Sequence, residues 1–94
     1  MTRVVLLVVS WCPVCPEAKT LWRRLRSDCD FGYEEVDIES ARGRALVAEH
    51  EIRGVPTTLI DGQVAFVGVP EPERASKAVA CAPPRATSRR GRAR

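Results

Sequence analysis

The sequence has no long apolar run and few cysteines, and these shortages exclude several classes of protein. The longest apolar run, Val4 to Val9, covers six residues, whereas a membrane-spanning helix needs roughly 20. Four cysteines in 94 residues are too few for a small scaffold stapled by disulfides. With 45% apolar and 29% charged residues, the chain is also unlike collagen, coiled coils and disordered proteins. Its length fits one small domain.

Acidic residues are absent from the end of the chain. All 12 lie before Pro83, so residues 1–82 carry a formal net charge of −2 and residues 83–94 carry +5. The terminal segment has five arginines and almost no apolar residue, so it cannot offset the entropy of ordering. We predict a folded domain over residues 1–82 and a disordered arginine-rich tail over residues 83–94. Arginine clusters can bind nucleic acid, but this tail has no aromatic residue to stack on bases, so we do not expect that partner.

Apolar periodicity and turn residues predict the element order β-α-β-α-β-β-α. The predicted strands are residues 4–9, 33–38, 57–60 and 63–67. The predicted helices run from 15 to about 28, from 41 to just before 54, and from about 71 to 80. The first strand is a continuous β-branched run, which indicates burial on both faces at the centre of a sheet. In the first helix Trp22 falls at helical spacing with other apolar residues, so it is predicted to lie in the core.

Local signals predict how these elements connect. A strand–helix–strand unit implies a parallel, right-handed crossover. Ser40 can cap the second helix, whose buried side would include Leu46, Val47 and Ile52. Asp61-Gly62 tolerates the positive φ angles of a tight turn, so it predicts an antiparallel hairpin. We therefore expect an α/β fold with a four-stranded mixed sheet and three helices.

Cys12 and Cys15 form a Cys-x-x-Cys motif at the predicted start of the first helix. Free backbone N–H groups and the helix dipole stabilise negative charge on Cys12, which lowers its pKa and makes it a nucleophile. Cys12 is predicted to attack a substrate disulfide, and Cys15 to resolve the mixed disulfide, leaving Cys12–Cys15 oxidised. Pro13 suits the first helical turn, and Trp11 would shield one flank of the thiolate.

The alternative interpretation is half of a zinc site or a pair of structural thiols. Zinc would need two more ligands, usually from a second paired motif, but Cys29, His50 and Cys81 are scattered singly. The motif between a strand and a helix therefore favours redox chemistry, with no metal. Cys29 and Cys81 could be regulatory or could pair with each other. Because sequence cannot fix the approach a disulfide requires, we expect them to be free thiols that pack as small apolar side chains.

Three segments resemble the thioredoxin and glutaredoxin superfamily. Trp11-Cys12-Pro13-Val14-Cys15 is similar to its active-site motif, and Arg53-Gly54-Val55-Pro56-Thr57 resembles its cis-proline loop. Gly68-Val69-Pro70-Glu71 resembles the glycine turn before the last helix. The resemblance covers nearly all of residues 3–80 and is greatest to small archaeal-type thioredoxins and glutaredoxin-like proteins.

The resemblance implies the thioredoxin fold, a cis Pro56 and a redox-active Cys12–Cys15 disulfide without a bound cofactor. It also implies that Trp11, Pro13, Val55, Pro56 and Gly68 contact the substrate. The expected activity is a thiol–disulfide oxidoreductase of electron transport and cell redox homeostasis. Its expected partners are protein disulfides and a flavin-dependent thioredoxin-type reductase. The protein is expected to be a cytoplasmic monomer without a membrane partner.

Two departures from the superfamily pattern narrow this expectation. Thioredoxins carry a buried aspartate, which helps to move the proton of the resolving cysteine, where this chain has Leu6. The sequence therefore does not show which group takes the Cys15 proton. Glutaredoxins carry a glutathione-binding segment after the hairpin, but residues 67–71 have neither its cysteine nor its aspartates. We therefore favour protein disulfides over glutathione. The alternatives are a glutathione-dependent glutaredoxin, or a binding module whose basic tail contacts nucleic acid.

Overall fold

Seven elements alternate along residues 1–81, which are the part of the chain described by a computed structural model. They are β1 (Arg3–Val8), α1 (Cys15–Asp28), β2 (Gly32–Asp37), α2 (Ala41–His50), β3 (Thr57–Ile60), β4 (Gln63–Val67) and α3 (Pro72–Ala78). The predicted order is confirmed. Residue 82 and the predicted tail, residues 83–94, lie outside the described residues. Within the described range, no helix is long and apolar enough to cross a membrane.

The four strands form one mixed sheet in the order β2-β1-β3-β4. Strand β1 runs parallel to β2 and antiparallel to β3, and the β3–β4 hairpin is antiparallel. This arrangement confirms the predicted fold class and places β1 at the centre. In the register of the sheet, Leu6 of β1 lies between Glu35 on β2 and Thr58 on β3.

Alternate residues of β1 contribute to two cores on opposite faces of the sheet. Val4, Leu6 and Val8 pack against buried residues of α1 and α3, with Trp22 as a fully buried member of this cluster. Leu7 lies on the other face and packs with residues of β2 and β3 and of α2. The continuous apolar run of β1 is therefore explained by helices on both sides of the sheet.

Two turn and cap predictions are confirmed because they depend only on local chemistry. The Ser40 hydroxyl accepts a 2.9 Å hydrogen bond from the Gly43 N–H and caps α2. Asp61 and Gly62 have φ angles of 51° and 82°, so they form the tight turn that joins β3 to β4. The left-handed region favours glycine, and a short polar residue such as aspartate also tolerates it.

Several predicted boundaries are wrong by one or more residues. Strands β1 and β2 each begin and end one residue earlier than predicted. Helix α2 ends at His50, because Glu51 adopts a left-handed conformation with φ 53°, so Ile52 lies beyond the helix. Helix α3 covers only Pro72–Ala78, because Glu71 is its extended N-cap and Ala80 has φ 54°.

The expectation that Cys29 and Cys81 are free thiols is wrong. Cys29 is the C-cap of α1, and Cys81 follows α3. Because α1 and α3 pack against each other, the two Cα atoms lie 5.7 Å apart and the sulfurs form a disulfide. That separation is within the range that disulfide geometry requires. The pairing follows from helix packing across 52 residues of chain, which local sequence patterns do not encode.

Candidate functional site

The two remaining cysteines meet at the N-terminal end of α1. Cys15 is the first residue of the helix, and its backbone N–H donates a 3.1 Å hydrogen bond to the Cys12 sulfur. The Cys12 N–H donates to the Val9 carbonyl at 3.2 Å, which holds the loop between β1 and α1. Both cysteines are nearly buried, with 6% of Cys12 and 2% of Cys15 exposed. Pro16 follows in the first turn, where it costs no helix hydrogen bond.

The pKa values of the two thiols shift in opposite directions. Burial works to raise the pKa of Cys12, but hydrogen bonds from the Cys15 thiol and from the backbone N–H groups of Val14 and Cys15 lower it overall. Burial raises the pKa of Cys15, and its hydrogen bond to Cys12 raises it further. The helix N-terminus therefore concentrates negative charge on the first sulfur, whereas the second sulfur keeps its proton. This asymmetry suits a nucleophile followed by a resolving thiol.

The loop before β3 lies directly against Cys12. The Val55–Pro56 peptide bond is cis. The Cys12 thiol points to the Val55 carbonyl oxygen at 3.9 Å, a weak S–H···O contact. The Thr57 hydroxyl donates to the Gly54 carbonyl at 2.7 Å and closes the loop on itself. Two segments separated by about 40 residues of sequence thus meet at one sulfur.

A third loop, between β4 and α3, supports the proline loop from behind. Gly68 has φ 91°, a conformation that disfavours any residue with a side chain. Its N–H donates a 2.7 Å hydrogen bond to the Pro56 carbonyl. Residues that the sequence places in three separate motifs are therefore linked in series, from Cys12 to Val55 and from Pro56 to Gly68. The Gly68 N–H is already occupied in this arrangement, so its contribution to the site is to hold Pro56.

Apolar residues of the three loops that form the site are exposed or half-buried. Trp11 is 70% exposed, and Val14 and Val69 are 40% and 39% exposed. Pro13 is exposed, Val55 is half-buried and Pro56 is buried. We refer below to Trp11, Pro13, Val14, Val55 and Val69 as the apolar rim. Val14 and Val69 were not singled out from the sequence as substrate contacts, although both lie inside the motifs that were recognised.

Trp11 lies at a shallow cleft of about 180 Å³ shared with Ile38, Ile52, Arg53 and Val55. A second groove, of about 510 Å³, runs between the start of α1 and the loop after β4. Trp11 and Val55 line the first cleft and Pro16 lines the second, so both clefts adjoin segments that flank the two cysteines.

No group of three or more His, Cys, Asp or Glu side chains is placed to hold a metal ion within residues 1–81. The donor set around Cys12 explains this, because the groups nearest the sulfur are another thiol, amide N–H groups and the Val55 carbonyl. A structural zinc ion needs four thiolate or imidazole donors.

Comparison with known proteins identifies relatives of similar size and shape. A family model described as the thioredoxin domain matches residues 2–80. The thioredoxin of Methanocaldococcus jannaschii is 29% identical over 77 residues, which span 82% of this chain and 91% of that protein.

Two solved structures show the same fold. A thioredoxin variant from Halobacterium salinarum NRC-1 superposes with a TM-score of 0.70 at 21% identity, covering 83% of this chain and 71% of the other. The reduced thioredoxin pre-protein of Schistosoma mansoni gives a TM-score of 0.70 at 19% identity, covering 84% and 76%. Since the family match spans nearly all of the described residues and the dithiol has the geometry above, the chain belongs to the thioredoxin family of thiol–disulfide oxidoreductases.

Proposed function

We propose that this protein reduces disulfide bonds in other proteins through the Cys12–Cys15 dithiol. The observation that carries the proposal is the 3.1 Å hydrogen bond from the Cys15 N–H to the Cys12 sulfur at the start of α1. Together with hydrogen bonds from the Cys15 thiol and the Val14 N–H, it lowers the pKa of Cys12 despite burial, whereas burial raises the pKa of Cys15. Cys12 is the nucleophile and Cys15 is the resolving cysteine.

The reaction transfers two electrons in two exchange steps. The Cys12 thiolate attacks one sulfur of the substrate disulfide, forms a mixed disulfide and releases the other substrate sulfur as a thiolate. Cys15 then loses its proton to solvent, and its sulfur attacks Cys12. The bond between Cys12 and the substrate breaks, the second substrate thiolate leaves, and Cys12–Cys15 is oxidised.

The apolar rim is the surface on which a substrate protein docks. Its exposed side chains bury apolar area on contact, and an extended substrate segment can pair with the backbone at Val55. Pro56 and Gly68 act behind this contact, because Pro56 is buried and the Gly68 N–H holds its carbonyl. The exposed acidic residues Glu71 and Glu73 disfavour the carboxylates of glutathione as an alternative substrate.

Turnover of insulin disulfides with dithiothreitol as the reductant tests the proposal. We expect the protein to accelerate reduction and the Cys12→Ser variant to lose all acceleration. The matched Cys15→Ser variant should accumulate a mixed disulfide at Cys12. Inactivity of the parent protein would refute the proposal. Turnover supported by glutathione, but not by a flavin-dependent thioredoxin reductase with NADPH, would favour a glutaredoxin.

We propose that the protein works in the cytosol as a monomer and is reduced there by that flavin-dependent reductase. Cytosolic thiols are mostly kept reduced, so the Cys29–Cys81 disulfide must be more resistant to reduction than the Cys12–Cys15 pair. A structural disulfide that survives a glutathione buffer has a potential below about −300 mV, whereas thioredoxin dithiols lie near about −270 mV. Mass analysis after alkylation in graded glutathione buffers should show Cys12 and Cys15 reduced first.

A further inference from the structure

The resolving step needs a Cys15 thiolate, and Cys15 is almost fully buried. The sulfur therefore lacks the water that would stabilise a negative charge on it. Another group must supply part of that stabilisation. In this fold no acidic residue lies on β1 beneath the motif, since that strand is Arg3–Val8 with only apolar residues after its first position. A charged group that acts on Cys15 must therefore come from another element, and Lys19 on α1 is such a group.

Helix α1 places Lys19 one turn after Cys15 on the same side. Residues separated by four positions lie about 5–6 Å apart at their Cβ atoms. Lys19 is half-buried, so its long side chain lies along the protein surface instead of extending freely into water. Its positive charge lowers the pKa of Cys15 and opposes the effect of burial, while the neighbouring Cys12 raises it.

Strand β2 supplies a carboxylate that pairs with α1 one turn beyond Lys19. Glu35 lies beside Leu6 in the parallel register, and it is on the α1 side of the sheet because its neighbour Val36 belongs to the opposite core. Its carboxylate accepts two 2.7 Å hydrogen bonds from Arg23, which is one turn after Lys19. The Tyr33 hydroxyl donates to it at 2.6 Å.

These contacts arrange charges in a row along one side of α1. Cys15, Lys19 and Arg23 follow one another at intervals of one turn, and Glu35 faces the far end. Arg23 holds the pKa of Glu35 below its usual range, and the charge of Lys19 lowers it too.

We propose that Lys19 is a positioning residue for the resolving step: its charge, one helical turn from Cys15, stabilises the Cys15 thiolate as it attacks Cys12. The proposal rests on the proposed roles of the two cysteines. The Cys15 proton still goes to solvent, and Lys19 neither gains nor loses a proton. The attack forms the Cys12–Cys15 bond and breaks the bond from Cys12 to the substrate. Lys19 changes only how much thiolate is present to attack.

An aromatic disulfide probe, dithiobis(nitrobenzoate), separates the two steps by stopped flow. The reduced full-length protein attacks the probe with Cys12 and releases one coloured thiolate, and resolution by Cys15 releases a second. If the parent protein shows two phases and the Cys15→Ser variant shows only the first, the roles of the two cysteines are established. A parent without this pattern refutes the proposed function, whatever Lys19 does.

Given that pattern, Lys19→Gln tests the inference. We expect its second phase to be about three- to tenfold slower at pH 7, because a nearby charge has been removed from a weakly screened site. The difference should disappear at a pH where Cys15 is ionised in both proteins. The first phase should be unchanged. Lys19→Arg should restore the parent rate, and Lys77→Gln, which removes the other lysine from an exposed position on α3, should have no effect.

Three results would overturn the inference. The first is a second phase in Lys19→Gln that equals the parent rate at pH 7. The second is a slowing that persists unchanged at high pH, which indicates a distorted helix. The third is a failure of Lys19→Arg to restore the rate, because the arginine keeps the charge and the half-buried stem.

Discussion

The indole N–H of Trp22 on α1 donates a 3.1 Å hydrogen bond to the hydroxyl of Thr58 on β3. Both residues are fully buried. The bond joins the helix that begins at Cys15 to the strand that follows the cis Pro56. It therefore fixes the distance between the two halves of the site from beneath, through a contact that no substrate can reach.

Removing the Thr58 hydroxyl should destabilise the protein. In Thr58→Val the Trp22 N–H is left buried without an acceptor, which costs about 1–3 kcal/mol of unfolding free energy. Thr58→Ser keeps the hydroxyl and is the matched control. Urea unfolding followed by tryptophan fluorescence measures both variants. Equal stabilities for valine and serine would show that the hydrogen bond contributes nothing.

Gly43 should tolerate no side chain. It is buried in the first turn of α2, and an added Cβ would lie 2.7 Å from the Asp37 carbonyl carbon and from the Ile38 Cα atom. Because both are backbone atoms, α2 must shift, and overpacking of this kind costs about 1–3 kcal/mol. Gly54→Ala adds a methyl group into open space and should leave the unfolding free energy nearly unchanged. A Gly43→Ala protein as stable as Gly54→Ala would contradict the packing.

The opposite pKa shifts of the two thiols predict two steps in pH titrations of the reduced protein. The pKa of Cys12 is lowered, so its alkylation by iodoacetamide should persist as the pH falls below the range of ordinary thiols. The pKa of Cys15 is raised, so its alkylation should begin only at higher pH. Because the ionisation of one thiol affects that of the other, each midpoint describes the coupled pair and not a single cysteine. A single midpoint typical of free cysteine would contradict this arrangement.

The lowered pKa of Cys12 also has a defined effect on stability. The reduced protein gains stability from the Cys12 thiolate above the pKa of an unfolded cysteine, and it loses that gain as the pH falls through the lower, folded pKa. Cys12→Ser should remove this pH dependence from urea unfolding of the reduced protein. A profile that is the same in both proteins would show that the hydrogen bonds to the Cys12 sulfur do not favour its charge.

The Cys29–Cys81 disulfide should contribute strongly to stability. It closes a loop with a sequence separation of 52 residues, and the chain-entropy model gives about 4 kcal/mol for a loop of that length. We expect Cys29→Ser/Cys81→Ser to lose up to that amount of unfolding free energy and still to reduce insulin. An unchanged unfolding free energy would mean that the packing of α3 on α1 stabilises this part of the fold without help from the disulfide.

Local chemistry made much of the fold predictable from the sequence. The cap formed by Ser40 and the turn formed by Asp61-Gly62 depend only on residues close in sequence, so both could be predicted. The apolar run that begins at Val4 predicted a central strand. The paired motifs likewise predicted that Cys12 and Pro56 meet. Contacts set by the tertiary structure were not predictable in the same way.

The Cys29–Cys81 bond depends on how α1 packs against α3, and the close approach at Gly43 depends on where α2 crosses the end of β2. The position of Glu35 beside Leu6 depends on strand register, since a shift of one residue would turn it to the other face. The Arg23–Glu35 ion pair likewise joins α1 to β2, and only the tertiary structure brings its two partners together.

The bond between Cys29 and Cys81 makes the later part of the domain a covalent ring. The ring contains the proline loop and the β3–β4 hairpin, whereas Cys12 and Cys15 lie outside it. A protease that cuts the exposed turn at Asp61 would open the ring without freeing a fragment, so the two faces of the site would stay tethered. The same nick after reduction of Cys29–Cys81 would leave the hairpin strand held only by noncovalent contacts.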